Sequence, residues 1–482
     1  TQGGCMAHLV WFRSDLRVSD NTALVEATQG MKPTDVYGVF FVSLKQWRSH
    51  DWGDPKISFL LRCVSSLQKN LYELGIPLYL VSAERFSEIP DRLLALAQHI
   101  GADTVFANRE YELNEQKRDA AVAEQLENHG LTLRLFHDQT CIPPDEPALS
   151  TSTGSPYTVF SPFRKKFIDV LYARGGISLK KPPKEVSFVS PPDFPESFGS
   201  IEEIPVDLNL FAEHWPGGER DGLARLRKFS ENGLSEYSEQ RDFPALRNGT
   251  SGLSAYLAVG AISPRTCLTA AMRANDGKLS LEKNGAMTWA SELIWREFYR
   301  HVLVHHPRIC RYHAFKEKID KDVEWRYDEN DFQAWCEGRT GYPLVDAAMR
   351  QLLTTGWMHN RLRMVVAMFL TKHLLIDWRW GERFFNQHLI DADFASNNGG
   401  WQWSSSTGTD AQPYFRIFNP YSQSEKFDAK GDFIREYCPD LSILAGKAIH
   451  CPSPAQCAQL GYPLPIVDHR EGRERALEAF KR

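Results

Sequence analysis

Two patterns of apolar spacing divide the chain. In its first part, short runs rich in β-branched and aromatic residues stand at 8–12, 36–42, 78–81, 104–107 and 131–136. Between them lie segments with helical periodicity, at 21–28, 56–74, 86–99 and 114–128. Strands separated by helices of this length predict a parallel α/β sheet. Beyond Gly222 only helical periodicity remains, in LARLRKFSE, SGLSAYLAVGA, TWASELIWREFYRHVL, PLVDAAMRQLLTTG and LRMVVAMFLTKHLL. In between, periodicity weakens and prolines accumulate, as in KKPPKEVSFVSPPDFPES, which predicts a mostly irregular surface connector. The predicted organisation is an α/β domain with a parallel sheet over 6–140, a connector over 141–221 and an all-α domain over 222–482. Residues 1–5 precede what reads as a natural start at Met6, and no signal peptide or membrane-spanning run is visible.

Composition changes this picture little. The 482 residues are 42% hydrophobic and 24% charged, with a net charge of −5, so wholesale coating of nucleic acid is not expected. A local basic groove remains open to it, because the field at a site matters more than the total. Residues 339–383 carry seven Lys/Arg against three Asp/Glu, as either a basic site or a solvated helical face would. Nine cysteines are scattered without a Cys-x-x-Cys pair or histidines at zinc spacing, which predicts a reduced, cytoplasmic protein without a structural metal. Of 13 tryptophans, nine follow residue 285. So dense a set points to stacking on bases or a flavin, or to electron hopping.

Five segments concentrate polar chemistry. RSDLRVSDN after the first strand lacks the Gly-x-Gly-x-x-Gly turn, so a dinucleotide bound in the usual way on the sheet is not expected. In 249–263, Thr250, Ser251 and Ser254 open a helix, where hydroxyls either cap free N–H groups or join them in holding phosphate. In 288–302, Trp289, Glu292, Arg296 and Tyr299 share one helical face with Trp295 nearer its flank, and charges among aromatics predict a polar cavity. In 355–370 and 390–410, a Trp-x-His-Asn-Arg-x-Arg run is followed by Asp391, Asp393 and two tryptophans around Gln402. The Asp-x-Asp pair could hold a metal, but the upstream arginines compete for it and no third carboxylate follows. Residues 397–400 read as a turn whose backbone could approach a flat ring closely.

The order of these blocks resembles a known family. HLVWFRSDLRVSDN, SEYSEQRDFP, GTSGLSAYLAVGAISPR, ELIWREFYRH, TGYPLVDAAMRQL, TGWMHNRLRM and NNGGWQWSSSTGTDAQPYFRIFNP are similar, in sequence, to the blocks of class I photolyases of the photolyase/cryptochrome superfamily, over nearly the whole chain. The resemblance implies an all-α domain that binds folded FAD, active in its reduced anionic form, and repair of cyclobutane pyrimidine dimers in DNA by electron transfer to a flipped-out dimer. It implies cofactor contacts from Tyr237, Thr250, Ser251, Leu253, Ser254, Trp289, Arg296, Asn360, Arg363, Asp391 and Asp393, an Arg363–Asp391 pair, and Asn397 facing flavin N5. Glu292, Trp295, Trp403 and Met364 would wall the substrate cavity, with Arg241, Arg361 and Gln423 toward DNA. Trp401, Trp378 and Trp325 would relay electrons to oxidised FAD.

A folate antenna, 5,10-methenyltetrahydrofolate, would lie at Asn114, Glu115, Cys310 and Arg311, the last where the folate branch usually has lysine. The implied protein acts as a monomer, without membrane attachment. Three rivals remain at this level. A cryptochrome-type sensor shares the fold but often carries a long C-terminal extension, whereas here the family core is expected to end almost at Arg482. A (6-4) photolyase would place two histidines in the pocket, where this chain has His359 and Met364. The third is a sheet-borne nucleotide-binding domain joined to a helical module.

Overall fold

The computed structural model describes residues 7–481, so Met6, residues 1–5 and Arg482 lie outside the described residues. Five strands, β1 (Ala7–Phe12), β2 (Val36–Val42), β3 (Leu78–Ser82), β4 (Ala102–Asn108) and β5 (Thr132–Phe136), pair in parallel in the order β5-β4-β1-β2-β3. A sixth, β6 (Ser197–Phe198), adds to the β3 edge antiparallel, contributed by a segment read as connector. Alternate strand residues enter two cores. Leu9, Trp11, Val39, Phe41 and Val81 pack with Leu93, Leu96, Val122 and Leu126 of the helices Ile89–Ile100 and Leu113–Glu127. Val10, Phe12, Phe40 and Leu80 face a second core that runs on into the helical region, through Leu226, Tyr256, Leu268 and Phe298. One face of the sheet is therefore built against the helices that follow it.

The long connector is more ordered than its sequence predicts. Phe160–Ala173 forms a helix that buries Phe160, Phe163, Phe167, Ile168, Val170 and Leu171. Its apolar positions recur at helical spacing, but the prolines on both sides obscure them. Phe163 meets Phe298 at 5.1 Å, and Arg164 donates to Ser291 Oγ at 3.2 Å, so this helix lies along the helix Gly285–His305.

A lattice of buried charge joins sheet to helices. Asp138, just after β5, accepts from Arg17 of the β1 loop and at 2.8 Å from Arg265 of the helix Pro264–Arg273. Arg265 also donates to Asp20 at 2.8 Å. Beside them Leu16 N donates to Val259 O at 3.2 Å, and Gly260 sits so close that a Cβ would lie 2.0 Å from Ser14 O. Gly260 also has φ of +68°, so glycine is required there twice over.

Burial alone would raise the Asp138 carboxyl, but Arg17 and Arg265 outweigh it and hold the group well below the usual carboxylate range. Replacing Asp138 by Ala takes the carboxylate from both buried guanidinium groups, leaving Arg17 only backbone acceptors and Arg265 only the carboxylate of Asp20, and should destabilise the fold by about 3–5 kcal/mol near neutral pH. A depressed carboxyl stabilises above its unfolded pKa, so the deficit should shrink once pH falls below ~4. Denaturant unfolding of wild type and variant at both pH values checks this; a deficit independent of pH would contradict it.

Candidate active site

The helix Gly285–His305 carries the predicted polar-aromatic face, and its residues line two connected cavities. One, of about 370 Å³, is bounded by Arg241, Glu292, Trp295, Met364, Asn397, Trp401 and Trp403. The other, of about 280 Å³, is bounded by Tyr237, Thr250, Ser251, Leu253, Ser254, Trp289 and Trp357. They share Glu292, Arg296, Asn360, Arg363, Asp391, Asp393 and Ser396. Every residue expected to contact the cofactor therefore borders one or both of these adjoining cavities.

Local sequence explains how these side chains are held. Asp393 caps the helix Phe394–Ser405, accepting from Ser396 N at 3.3 Å, and takes a hydrogen bond from Arg300 at 2.9 Å. Burial opposes its charge, but Arg300 and Arg296 prevail and hold the carboxyl near 2. Arg363 grips Asp391 with two nitrogens, at 3.1 and 2.7 Å, and its Nε donates to Met358 O at 2.7 Å. Two forked bonds fix the guanidinium plane, and each charge offsets the other's desolvation. Arg296, lowered to about 10 by burial and by Arg300, donates to Gln139 O at 2.6 Å and stays cationic at neutral pH.

Residues 397–400, expected to form a turn, instead lie within the helix Phe394–Ser405. The Asp393 cap and tertiary packing override the poor helix propensity of Asn-Asn-Gly-Gly. A Cβ on Gly399 would strike the Tyr299 ring at 2.4 Å, whereas one on Gly400 would meet nothing within 4 Å. The expected close approach survives in helical form, with Gly400 leaving bare backbone on the cavity wall. The helix at Ser254–Ala258 is also shorter than predicted, only five residues. No hydroxyl caps it; Ser251 Oγ accepts from Leu253 N at 3.3 Å, and Ser254 Oγ accepts from Trp357 Nε1 at 3.3 Å.

The space suits a flavin dinucleotide on this structure's own terms. It joins an apolar, tryptophan-walled lobe to one lined by hydroxyls, and cationic Arg296 and Arg363 border both. Buried Trp401 Nε1, on a ring lining the larger lobe, has no hydrogen-bond partner among the described residues. Asn397 spends its amide hydrogens on Glu382 O at 3.1 Å and Asn386 Oδ1 at 3.0 Å, which leaves its oxygen to accept.

Trp401 lies against the helix Trp378–His388 at Gly381, where a Cβ would come within 2.0 Å of its ring. Trp378, three residues earlier on that helix, donates to Asp320 Oδ1 at 3.0 Å, and Trp325 donates to the same oxygen at 3.3 Å. Asp320 and Gly381 were not legible as functional: nothing local in the sequence marks a carboxylate shared by two distant indoles.

The residues expected toward DNA lie at or beyond the cavity's edge. Arg361 lies outside it, paired with Asp242 at 3.0 Å and over the Phe427 ring at 4.5 Å, and Gln423 also lies outside it. Arg241 does line the cavity but is bound to Glu292 at 2.8 Å. His359 is a buried cap: its Nδ1 accepts from Arg361 N at 3.1 Å, and burial lowers its pKa to about 4.

A third cavity, of about 400 Å³, separates the sheet from the helices, and Asn114, Glu115, Cys310 and Arg311 all line it. His50, Trp52, Lys56 and Glu112 join them and were missed in the sequence. His50 pairs with Asn114 Nδ2 at 2.9 Å and faces Glu115 at 3.4 Å, while Lys56 sits 3.7 Å from the Trp52 ring centre. Burial, with Glu115 and Glu110 nearby, raises Glu112 to about 8. The crevice at the sheet's own end is filled instead by Trp11, Arg13, Phe86 and Arg118, leaving about 30 Å³, too little for a nucleotide.

Glu382 borders this third cavity and accepts from Asn398 at 2.6 Å; burial raises its carboxyl to about 7. A raised carboxyl stabilises fully below its ordinary value of 4.5, and that contribution is lost as pH rises through about 7. Glu382→Gln keeps an acceptor for Asn398, so its thermal midpoint should fall less than that of wild type between about pH 5 and pH 8. Parallel pH dependence in the two proteins would contradict this.

Comparisons agree with the geometry. The family model described as "DNA photolyase" matches residues 8–184, and "FAD binding domain of DNA photolyase" matches residues 289–482. The deoxyribodipyrimidine photo-lyase of Escherichia coli is 43% identical over 485 residues, covering 98% of each chain. That of Neurospora crassa is 40% identical over 504 residues, covering 98% of this chain and 81% of its own. A class III photolyase structure from Agrobacterium tumefaciens superposes with a TM-score of 0.86 at 38% identity, covering 99% of this chain and 97% of that one. A Synechocystis cryptochrome follows at 0.85 and 29%, covering 98% and 99%. Fold, cavity and relatives together establish that this chain belongs to the DNA photolyase family, with an FAD-binding domain formed by its helical region.

Proposed function

We propose that the protein is a light-driven deoxyribodipyrimidine photo-lyase, a carbon–carbon lyase that splits cyclobutane pyrimidine dimers in DNA. One observation carries this reading: the tryptophan walls Trp295 and Trp403 border the same cavity as the Arg363–Asp391 pair and Asn397. Substrate walls and cofactor groups thus share one space. When bound, FAD in its reduced anionic form would supply the light-driven, reversible one-electron chemistry that ring opening needs.

The protein's own groups bind and orient. Arg296, with the hydroxyls of Thr250, Ser251 and Ser254 and the backbone near Leu253, would hold the diphosphate side, and Tyr237 and Trp289 would pack against it. Asn360, Arg363, Asp391 and Asp393 would fix the ribose and ring. The Asn397 oxygen would accept a hydrogen bond without adding charge beside an anionic ring.

A dimer is reached only by flipping it out of the stack, which is cheap at a damaged step. Trp295, Trp403 and Met364 would then cover its apolar surfaces, while Glu292 accepts from its polar edge. Arg241 and Arg361, with Gln423, would face the DNA. Their Glu292 and Asp242 partners support a modest pull on phosphate rather than a strong one.

Trp401, Trp378 and Trp325 would relay electrons inward to reduce an oxidised cofactor. The common Asp320 contact and the Trp401–Gly381 approach support this order. The third cavity would hold 5,10-methenyltetrahydrofolate as antenna, at Asn114, Glu115, Cys310 and Arg311. We also assign the domains as 6–140, 141–221 and 222–482, and a monomer acting in the cytoplasm. Among the described residues no helix is long and apolar enough to cross a membrane.

Base–aromatic stacking of ~1–3 kcal/mol corresponds to roughly a five- to 150-fold change in affinity. Trp295→Ala should lose that much affinity for dimer-containing DNA and little for undamaged DNA. Arg361→Ala should weaken both modestly and alike. Titration of each variant with matched duplexes checks this; an equal loss for Trp295→Ala on both duplexes would defeat the cavity assignment.

A further inference from the structure

We propose that Phe160, brought in by the connector, is the positioning residue that sets the orientation of Trp295 toward damaged bases, and that Asp410 holds it there. The inference rests on reading the larger cavity lobe as the substrate site. The Phe160 and Trp295 rings lie face to face, with centroids 3.8 Å apart and planes 9° apart. Phe160 is buried and Trp295 half-buried on the cavity wall, so whatever stacks on Trp295 must use the face that Phe160 leaves free.

Phe160 is itself fastened by the segment that follows the helix carrying Trp403. Its N–H donates to Asp410 Oδ2 at 3.0 Å, and Thr409 Oγ1 donates to Thr158 O at 2.6 Å. Both residues stand in the loop that follows the helix Phe394–Ser405, which carries Trp403. The same loop returns to that helix: Gln412 N donates to Trp403 O at 3.2 Å, and Gly408 N to Gln402 O at 3.0 Å. Asp410 has φ of +46°, a left-handed conformation that Asp tolerates better than most residues. One loop thus references both tryptophan walls, Trp403 directly and Trp295 through Phe160. The gap between the walls is a property of that loop, and a gap fixed before binding saves the entropy of ordering a tryptophan on the substrate.

Losing the stack should weaken binding of a duplex with a single thymine dimer by roughly two- to twelve-fold, the worth of one aromatic pair. Phe160→Leu keeps most of the volume without the aromatic face. Asp410→Gly removes the acceptor at a position whose φ glycine accepts. Each should lose dimer affinity and retain affinity for the undamaged duplex. The double variant should lose no more than the worse single one, because Asp410 acts through Phe160. Trp295→Ala, measured alongside, separates the two claims. If it discriminates between the duplexes while Phe160→Leu and Asp410→Gly bind both as wild type does, the positioning role is wrong and the substrate site stands. If either variant loses affinity equally for both duplexes, or if the two losses add, the role is also wrong. If Trp295→Ala fails to discriminate, the substrate site itself falls.

Discussion

The Asp393 carboxylate borders all three large cavities, and much of the site hangs on the two jobs it does at once. As a helix cap it starts the helix Phe394–Ser405, and so fixes where Asn397, Gly400, Trp401 and Trp403 stand. As a buried anion it answers Arg300 and Arg296, two cations four residues apart on the long helix opposite. Without it the two arginines would repel each other in a poorly solvated space, and the helix would lose its first-turn acceptor. One carboxylate therefore ties the helix that carries Trp401 and Trp403 to the helix that carries Trp295.

The rim of the cavity follows a different rule. Arg241 and Arg361 face Glu292 and Asp242, so the mouth combines two cations with two anions instead of a bare basic patch. That matches a chain of net charge −5 that acts on a polyanion. On the proposed reading, attraction for undamaged backbone would stay small and discrimination would be left to the shape and stacking of the walls.

What the sequence disclosed is what local pattern can disclose. Strands β1 to β4 bury short apolar runs, and the helices between them and the long helices beyond Gly222 bury periodic faces; both patterns are local. The Arg363–Asp391 pair was reachable too, from the order of family blocks. Residues 397–400 were misread because an Asn-Asn-Gly-Gly run looks like a turn until Asp393 is known to cap it and Tyr299 to pack on it. The helix Phe160–Ala173 was hidden by flanking prolines, and its role by distance: the partners of Phe160 are Trp295 and Asp410, far along the chain. Asp320, Gly381 and the His50, Trp52 and Lys56 group share that cause, since their meaning lies in contacts that no spacing records.

The central claim is that this cavity returns a dimer to two pyrimidines under light. The direct measurement is repair itself: purified protein with fully reduced FAD, a duplex containing one thymine dimer, and blue light, scored for restored thymines against a dark control. The account predicts restoration that requires light. A dimer left intact by protein that holds reduced FAD and still shows light-driven spectral changes would contradict it, and would make the molecule a light sensor built on the same cavity.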